Sequence, residues 1–370
     1  DQTYYKYHSG APNFEEYNLA CSELRNKIDL ITKEVDFDSF DPIQIKINPI
    51  ALPKMSEKMI PSYSDALIRL SKKYKNIVAL DADLMLDTGL IPFNDKFPDR
   101  FVECGIAEQD MVSQAGTMAL SGLLPIVHSF SCFLTSRASE QIYNNCTQSS
   151  KVIYTGSLAG LLPAGPGHSH QAVRDIAGML GMPNMSIIEP INANQVYHSL
   201  RWATEDNSYS SYIRLTSIPY ETNKKLLSID NIIEGRGHVF NEGGDITIIA
   251  FGPIFASISL QVLDLLDQQN KPTTVICTPW INKIDVDWLK SKLKNTTLIV
   301  TLENHYKDCG AGNFYINEMA INNILINKKI LSLGIEELPV CGRNDEVLEY
   351  HGLTSSQIVD SIIGKLKLEH

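Results

Sequence analysis

The 370-residue chain is 44% apolar with a formal net charge of −11, enough apolar content for packed cores in two domains with a leading appendage. That acidic balance, with no basic block, argues against nucleic acid and against an anionic membrane surface as partners. Seven cysteines stand apart, without CxxC pairs or His clusters at zinc spacing, and read as reduced thiols of a cytoplasmic protein; no apolar run approaches the ~18 residues of a membrane span.

Residues 1–55 read as an N-terminal arm and linker. Tyr7 to Asn13 is a turn, Phe14 to Arg25 one amphipathic helix, and Asp36 to Pro53 a polar, Pro-containing linker. From 56 to 220 strands and helices alternate, which implies an α/β domain with a mostly parallel sheet and helices on both faces. Helices are expected over 64–73, 107–121, 135–148, 171–180 and 193–205, and strands over 76–84, 101–104, 125–130, 151–155, 185–188 and 211–215. Ligands collect beyond the carboxyl ends of such strands, where Asp83, Glu108, Phe130 and the loop after Thr155 all fall. Residues 221–240, rich in Asn, Lys and Gly, read as a linker. Residues 241–367 form a smaller α/β domain, with strands near 245–252, 273–277, 297–302 and 329–332. Gly310 and Gly312 lack the third glycine of a nucleotide-binding fingerprint and read as helix-entry glycines.

The chemistry-bearing stretch is Gly105-Ile106-Ala107-Glu108-Gln109, a strand-to-helix corner before a helix too apolar to lie on a surface. A carboxylate there is either a helix-start charge facing the dipole or a buried group held for chemistry. Phe130 and Phe133 flank the turn after the strand from Pro125, with Arg137 and Gln141 following on a helix; both aromatics are core or one face of a site. The loop Ala164-Gly165-Pro166-Gly167-His168-Ser169-His170-Gln171 places two histidines around a serine beyond the sheet's carboxyl edge, which reads as a site.

These three motifs together resemble the transketolase family of thiamine diphosphate enzymes, over nearly all of residues 7–365: the pyrimidine-binding domain at 56–220 and the transketolase C-terminal domain at 241–367. The turn at His8 to Pro12 resembles the tail of the family's diphosphate-binding half. The resemblance implies that Glu108 bonds a ring nitrogen of the cofactor's aminopyrimidine, favouring the tautomer whose exocyclic nitrogen takes the thiazolium proton. It implies a stacking role for Phe133, with Phe130 beside it, and adds Asp83 and Leu84 to the cofactor contacts. His170 matches the histidine that contacts the donor's hydroxyls and carbonyl, while His168 has no family counterpart and is kept as a substrate residue.

The departures bear on substrate. Where family members that use phosphorylated sugars carry Arg, Ser and Arg for the acceptor phosphate and an Asp in the loop, this chain has Ile60, Asp87, Ser217 and Pro166. An aspartate repels a phosphate, and two guanidinium forks are lost, so the acceptor is expected not to be an ordinary sugar phosphate. A neutral or cationic aldehyde, or a sugar carried on a nucleotide, fits better. No Gly-Asp-Gly with its later Asn is present; Gly243-Gly244-Asp245 precedes a strand of the last domain. The resemblance therefore implies half of an enzyme, with thiamine diphosphate and Mg²⁺ held on the diphosphate by a partner N-terminal half, in a dimer of heterodimers or, for a fragment, a homodimer. The expected activity is transfer of a two-carbon ketol unit from a ketose to an aldehyde. The alternatives are the β subunit of a 2-oxo-acid dehydrogenase decarboxylase, which normally lacks the extension and the His-Gln motif, and a non-catalytic transketolase-like subunit.

Overall fold

The computed structural model describes residues 13–35 and 55–367, so the turn expected before Asn13 and the linker expected over Asp36–Pro53 lie outside the described residues. The described residues fall into two units, 13–35 and 55–367. In the first, the helix runs over Phe14–Val35, beyond the expected Arg25. Asn13 caps it by accepting from the Glu16 N–H at 2.9 Å, and a Glu23–Lys27 pair at 2.7 Å supports its middle.

The second unit contains two large sheets and one two-stranded sheet. A short strand β1 (Ser56–Glu57) pairs antiparallel with β8 (Tyr220–Glu221), closing the ends of the first α/β region on each other. Between them lie β2 (Ile77–Asp81), β3 (Phe101–Glu103), β4 (Leu124–Phe130), β5 (Ile153–Ser157), β6 (Ser186–Ile188) and β7 (Ser211–Arg214), in the order β3-β2-β4-β5-β7-β6 and all parallel. β2, β4, β5, β6 and β7 are buried throughout, as the continuous apolar runs require of a sheet covered on both faces.

The second sheet orders β9 (His238–Phe240), β10 (Ile246–Phe251), β11 (Thr273–Thr278), β12 (Leu298–Tyr306) and β13 (Lys329–Ile335) as β13-β12-β10-β11-β9, with β9 the antiparallel edge. Its central helix, Gly252–Gln268, is buried over most of its length. The stretch 221–240, read as a linker, holds the end of β8, a turn of helix at Lys224–Leu227 capped by Asn223, and all of β9, with Leu226 and Ile229 buried in the core.

Three expected helices differ, the one over 64–73 starting already at Met59. The one over 135–148 divides at Ala138 into Ser131–Arg137 and Ser139–Thr147. The one over 171–180 starts only at Asp175, because Gly160 accepts from the Ala172 N–H at 2.8 Å and Val173 from the Tyr306 N–H at 3.0 Å, holding 172–173 out of helical geometry. His170 therefore lies on a loop, not at a helix start.

Candidate functional site

Beyond the carboxyl ends of β2, β3 and β4 the structure gathers one polar-aromatic cluster. Gly105, at φ +66°, makes the turn that lets the chain leave β3 and enter the helix Glu108–Leu120. Glu103 secures that turn and its neighbour, accepting from the N–H of Gly105 at 2.8 Å and of Asp83 at 2.9 Å. Glu108 opens the helix and is 4% exposed. One of its carboxylate oxygens accepts from the Arg137 guanidinium at 2.5 Å. That guanidinium lies 3.9 Å from the ring centroid of Phe133.

The Phe133 ring stands 5.6 Å from Phe130 and 5.1 Å from the His170 imidazole, with Phe130 and His170 5.9 Å apart. Leu84 packs into the same group, in a small buried cluster with Phe130, Cys132 and Ala172. Burial and the nearby Arg137 charge hold the His170 imidazole below the ordinary histidine range, so it is neutral at pH 7. Its Nδ1 lies 2.9 Å from the Ser169 hydroxyl. Glu108, Phe133, Phe130, Leu84 and His170 are thus in one place. Arg137, named in the sequence but given no role there, is the residue that joins the carboxylate to the aromatics.

The remaining candidates are spread around this cluster. Asp83 occupies a left-handed turn at φ +61° just after β2. Asp81, which the sequence reading passed over, is fully buried, accepts from the Leu84 N–H at 2.6 Å and the Thr88 hydroxyl at 3.0 Å, and is pushed by burial up to about 7. Asp87 is half-buried, and its Oδ2 has no hydrogen-bond partner. Ile60 sits against Gly89, where an added Cβ would come within 2.8 Å of its side chain. Ser217 accepts from the Leu158 N–H at 2.9 Å and so supports the start of the histidine loop. Pro166 is exposed on that loop. His168 lines a separate cavity of about 270 Å³ with Gln171, Val173, Arg174, Tyr306 and Pro339, between the loop and the second sheet domain.

A buried charge network behind the loop was not foreseen. Arg214, 1% exposed at the end of β7, donates from Nε to Asp175 at 2.7 Å and from Nη1 to Glu189. Tyr212 also donates to Asp175 at 2.7 Å, and His305 of β12 lies 3.8 Å from it. Burial opposes ionisation of both carboxyls. Asp175, which takes two guanidinium N–H groups and a phenol, is nevertheless held low, whereas burial prevails at Glu189 and raises it. An arginine in a strand of apolar residues was the one sequence signal for it. Glu303, which accepts from the N–H groups of Ala311 and Gly312 at 2.7 and 2.9 Å, is pushed by burial up to about 8.

A buried carboxylate next to two phenylalanine faces and a neutral imidazole fits an aminopyrimidine: one acceptor for a ring nitrogen's proton, apolar surface for the ring, and a donor for a carbonyl or hydroxyl. Among the described residues no group of His, Cys, Asp and Glu has the arrangement to hold a metal ion. Among the described residues no helix is long and apolar enough to cross a membrane.

The family model for the transketolase pyrimidine-binding domain matches residues 58–221, and that for the transketolase C-terminal domain matches 235–358. The protein named "Putative transketolase C-terminal section" of Methanocaldococcus jannaschii is 32% identical over 326 residues, covering 86% of this chain and 100% of that one. The 1-deoxy-D-xylulose-5-phosphate synthase of Heliobacterium modesticaldum is 29% identical over 300 residues; the match covers 80% of this chain but only 45% of the synthase, less than half its length. Among solved structures, a split-gene transketolase described as an inactive β4 tetramer matches at a TM-score of 0.72 and 29% identity, over 85% of this chain and 99% of that one. A transketolase of Campylobacter jejuni matches at 0.67 and 17% identity, over 84% of this chain and 47% of that one, a likeness of fold alone.

Proposed function

The chain belongs to the transketolase family, and on that footing we propose that it is the pyrimidine-binding and C-terminal part of a thiamine diphosphate enzyme that moves a two-carbon ketol unit from a ketose to an aldehyde. The observation that carries this reading is the assembly of Glu108, Phe133 and His170 in one cluster drawn from three separate segments. Glu108 is the residue to share its carboxyl proton with the pyrimidine nitrogen, with Phe133, Phe130, Leu84 and Asp83 around the ring. Bound thiamine diphosphate supplies the carbanion chemistry that no side chain provides. His170, neutral through burial and the Arg137 charge, donates to the donor's carbonyl or hydroxyl and passes a proton there. His168 is the outer substrate residue.

Thiamine diphosphate and Mg²⁺ require a diphosphate-binding partner, an N-terminal half, in an assembly with an even number of halves. The acceptor is not an ordinary sugar phosphate: Ile60, Asp87, Ser217 and Pro166 stand where phosphate-gripping groups are expected, Ser217 is already engaged with Leu158, and Asp87 adds repulsion.

Calorimetric titration of thiamine diphosphate with Mg²⁺ into this chain, alone and with a diphosphate-binding half, tests the reading. Binding only in the presence of the partner is expected, followed by turnover of a ketose donor that Glu108→Ala abolishes with the fold intact. Turnover of a 2-oxo acid in place of a ketose would favour the decarboxylase alternative. Absence of binding in both arms would leave the non-catalytic subunit, and turnover of ribose 5-phosphate as fast as any other acceptor would overturn the acceptor assignment.

A further inference from the structure

The loop from Leu158 to Arg174 carries His168 and His170; within it Gly167 accepts from the N–H groups of His170 and Gln171 at 3.0 and 3.3 Å, and Ala159 and Gly160 bridge to Ala172. Both of its stems are also held from the second sheet domain. At its first stem, the Leu161 N–H donates to Asn304 Oδ1 at 2.5 Å, and Asn304 Nδ2 reaches the Ala159 carbonyl at 3.5 Å. At its second stem, the Tyr306 N–H donates to the Val173 carbonyl at 3.0 Å. Gln171, next to His170, donates from its amide nitrogen to the Leu161 and Val340 carbonyls, both at 3.1 Å, tying the two stems to each other and to the second domain.

The fit at the first stem is close. Gly160 sits at φ +87°, and a Cβ added there would fall 1.8 Å from Asn304 Oδ1. The Asn304 side chain therefore fills the space that the missing side chain leaves, and is 3% exposed. Three consecutive residues at the end of β12, Asn304, His305 and Tyr306, face the first stem, Asp175 and the second stem in turn.

We propose that Asn304 is a positioning residue for His170, through which the second sheet domain sets the geometry of the site in the first. The proposal rests on the reading of His170 as the substrate-contacting histidine. Asn304 touches no reacting atom. It fixes where the loop leaves the sheet, and a displacement of about 1 Å at a catalytic group is enough to slow turnover on the order of a hundredfold.

The test compares the full-length chain with Asn304→Ala, Gly160→Ala and Asn304→Asp, each labelled at histidine for imidazole NMR and each reconstituted with a diphosphate-binding half. Asn304→Ala, and Gly160→Ala acting from the other domain, are expected to displace or broaden the His170 signal. They should lower kcat/KM for the donor ten- to hundredfold, with thiamine diphosphate affinity unchanged, since Glu108 and Phe133 lie on other segments. Asn304→Asp has the same shape and, while its carboxyl is neutral, the same donor and acceptor. It keeps the oxygen that accepts from the Leu161 N–H, so it should restore the His170 signal and most of the turnover that Asn304→Ala loses. An unmoved His170 signal in a folded Asn304→Ala chain overturns the proposal, as does a parallel loss of cofactor affinity in every variant. If the wild-type holoenzyme transfers no ketol unit, the functional reading falls, while the His170 signal still decides the positioning role.

Discussion

Arg137 joins Glu108 to Phe133: its guanidinium donates to the carboxylate at 2.5 Å and lies 3.9 Å from the centroid of the ring. The arginine side chain is 43% exposed, so the pair is screened and Arg137→Met should change stability by less than about 1 kcal/mol. Its charge, after burial, is what holds His170 below the ordinary range. The His170 titration midpoint should therefore rise in Arg137→Met, and an unchanged midpoint by imidazole NMR would contradict the electrostatic link.

Phe133→Leu keeps apolar bulk but removes the aromatic face. Affinity for thiamine diphosphate in the reconstituted enzyme should fall by about 1 kcal/mol, roughly fivefold, beyond any change in burial. Calorimetry showing equal affinity would move the stacking role to Phe130.

Arg214→Met leaves Asp175 and Glu189 buried without their shared cation. The expected loss is about 3–5 kcal/mol in urea unfolding, and adding Asp175→Leu should recover part of it by removing the stranded charge. A single substitution that left the urea midpoint in place would mean that the network contributes nothing to stability.

Two buried groups give opposite pH dependences. Asp81, raised to about 7, keeps its proton in the folded chain but not in the unfolded one between about pH 4 and 7, so its contribution to stability falls as pH rises through that window. His128, lowered to about 4 by burial, is neutral when folded, so its contribution is complete above about 6.5 and falls as pH drops toward 4. Asp81→Asn should remove the first slope and gain stability at pH 8 relative to wild type, by up to a few kcal/mol at about 1.4 per pKa unit. Equal stability of the two at pH 8 would show that the carboxyl is ionised without penalty.

The α/β alternation was readable because buried parallel strands leave continuous apolar runs, such as Ile77 to Asp81 and Ile246 to Phe251, bounded by turns. Glu108 and the aromatics were readable for a different reason: each falls just past a strand's carboxyl end, and the fold brings those ends together. Position along the chain says nothing about partners across domains, however. Arg137 was visible only as a helix residue, and the start of the 175–180 helix was misplaced because Tyr306 and Gly160, distant in sequence, hold 172–173 extended. Asp175 was hidden for the same reason, since its cation arrives from β7 and its histidine neighbour from β12.

The contacts between the sheets also bear on how the chain comes apart. Ile188 bridges to Trp280, the Glu189 N–H donates to the Pro279 carbonyl at 2.8 Å, and Trp202 stacks edge-on against Trp280 at 4.8 Å, all beside the buried Arg214 ion pairs. Separating the two halves would bring a charged cluster and a pair of indoles into water together. Residues 55–367 should therefore melt in one cooperative transition, and a fragment cut between the sheets should be insoluble rather than a smaller folded protein.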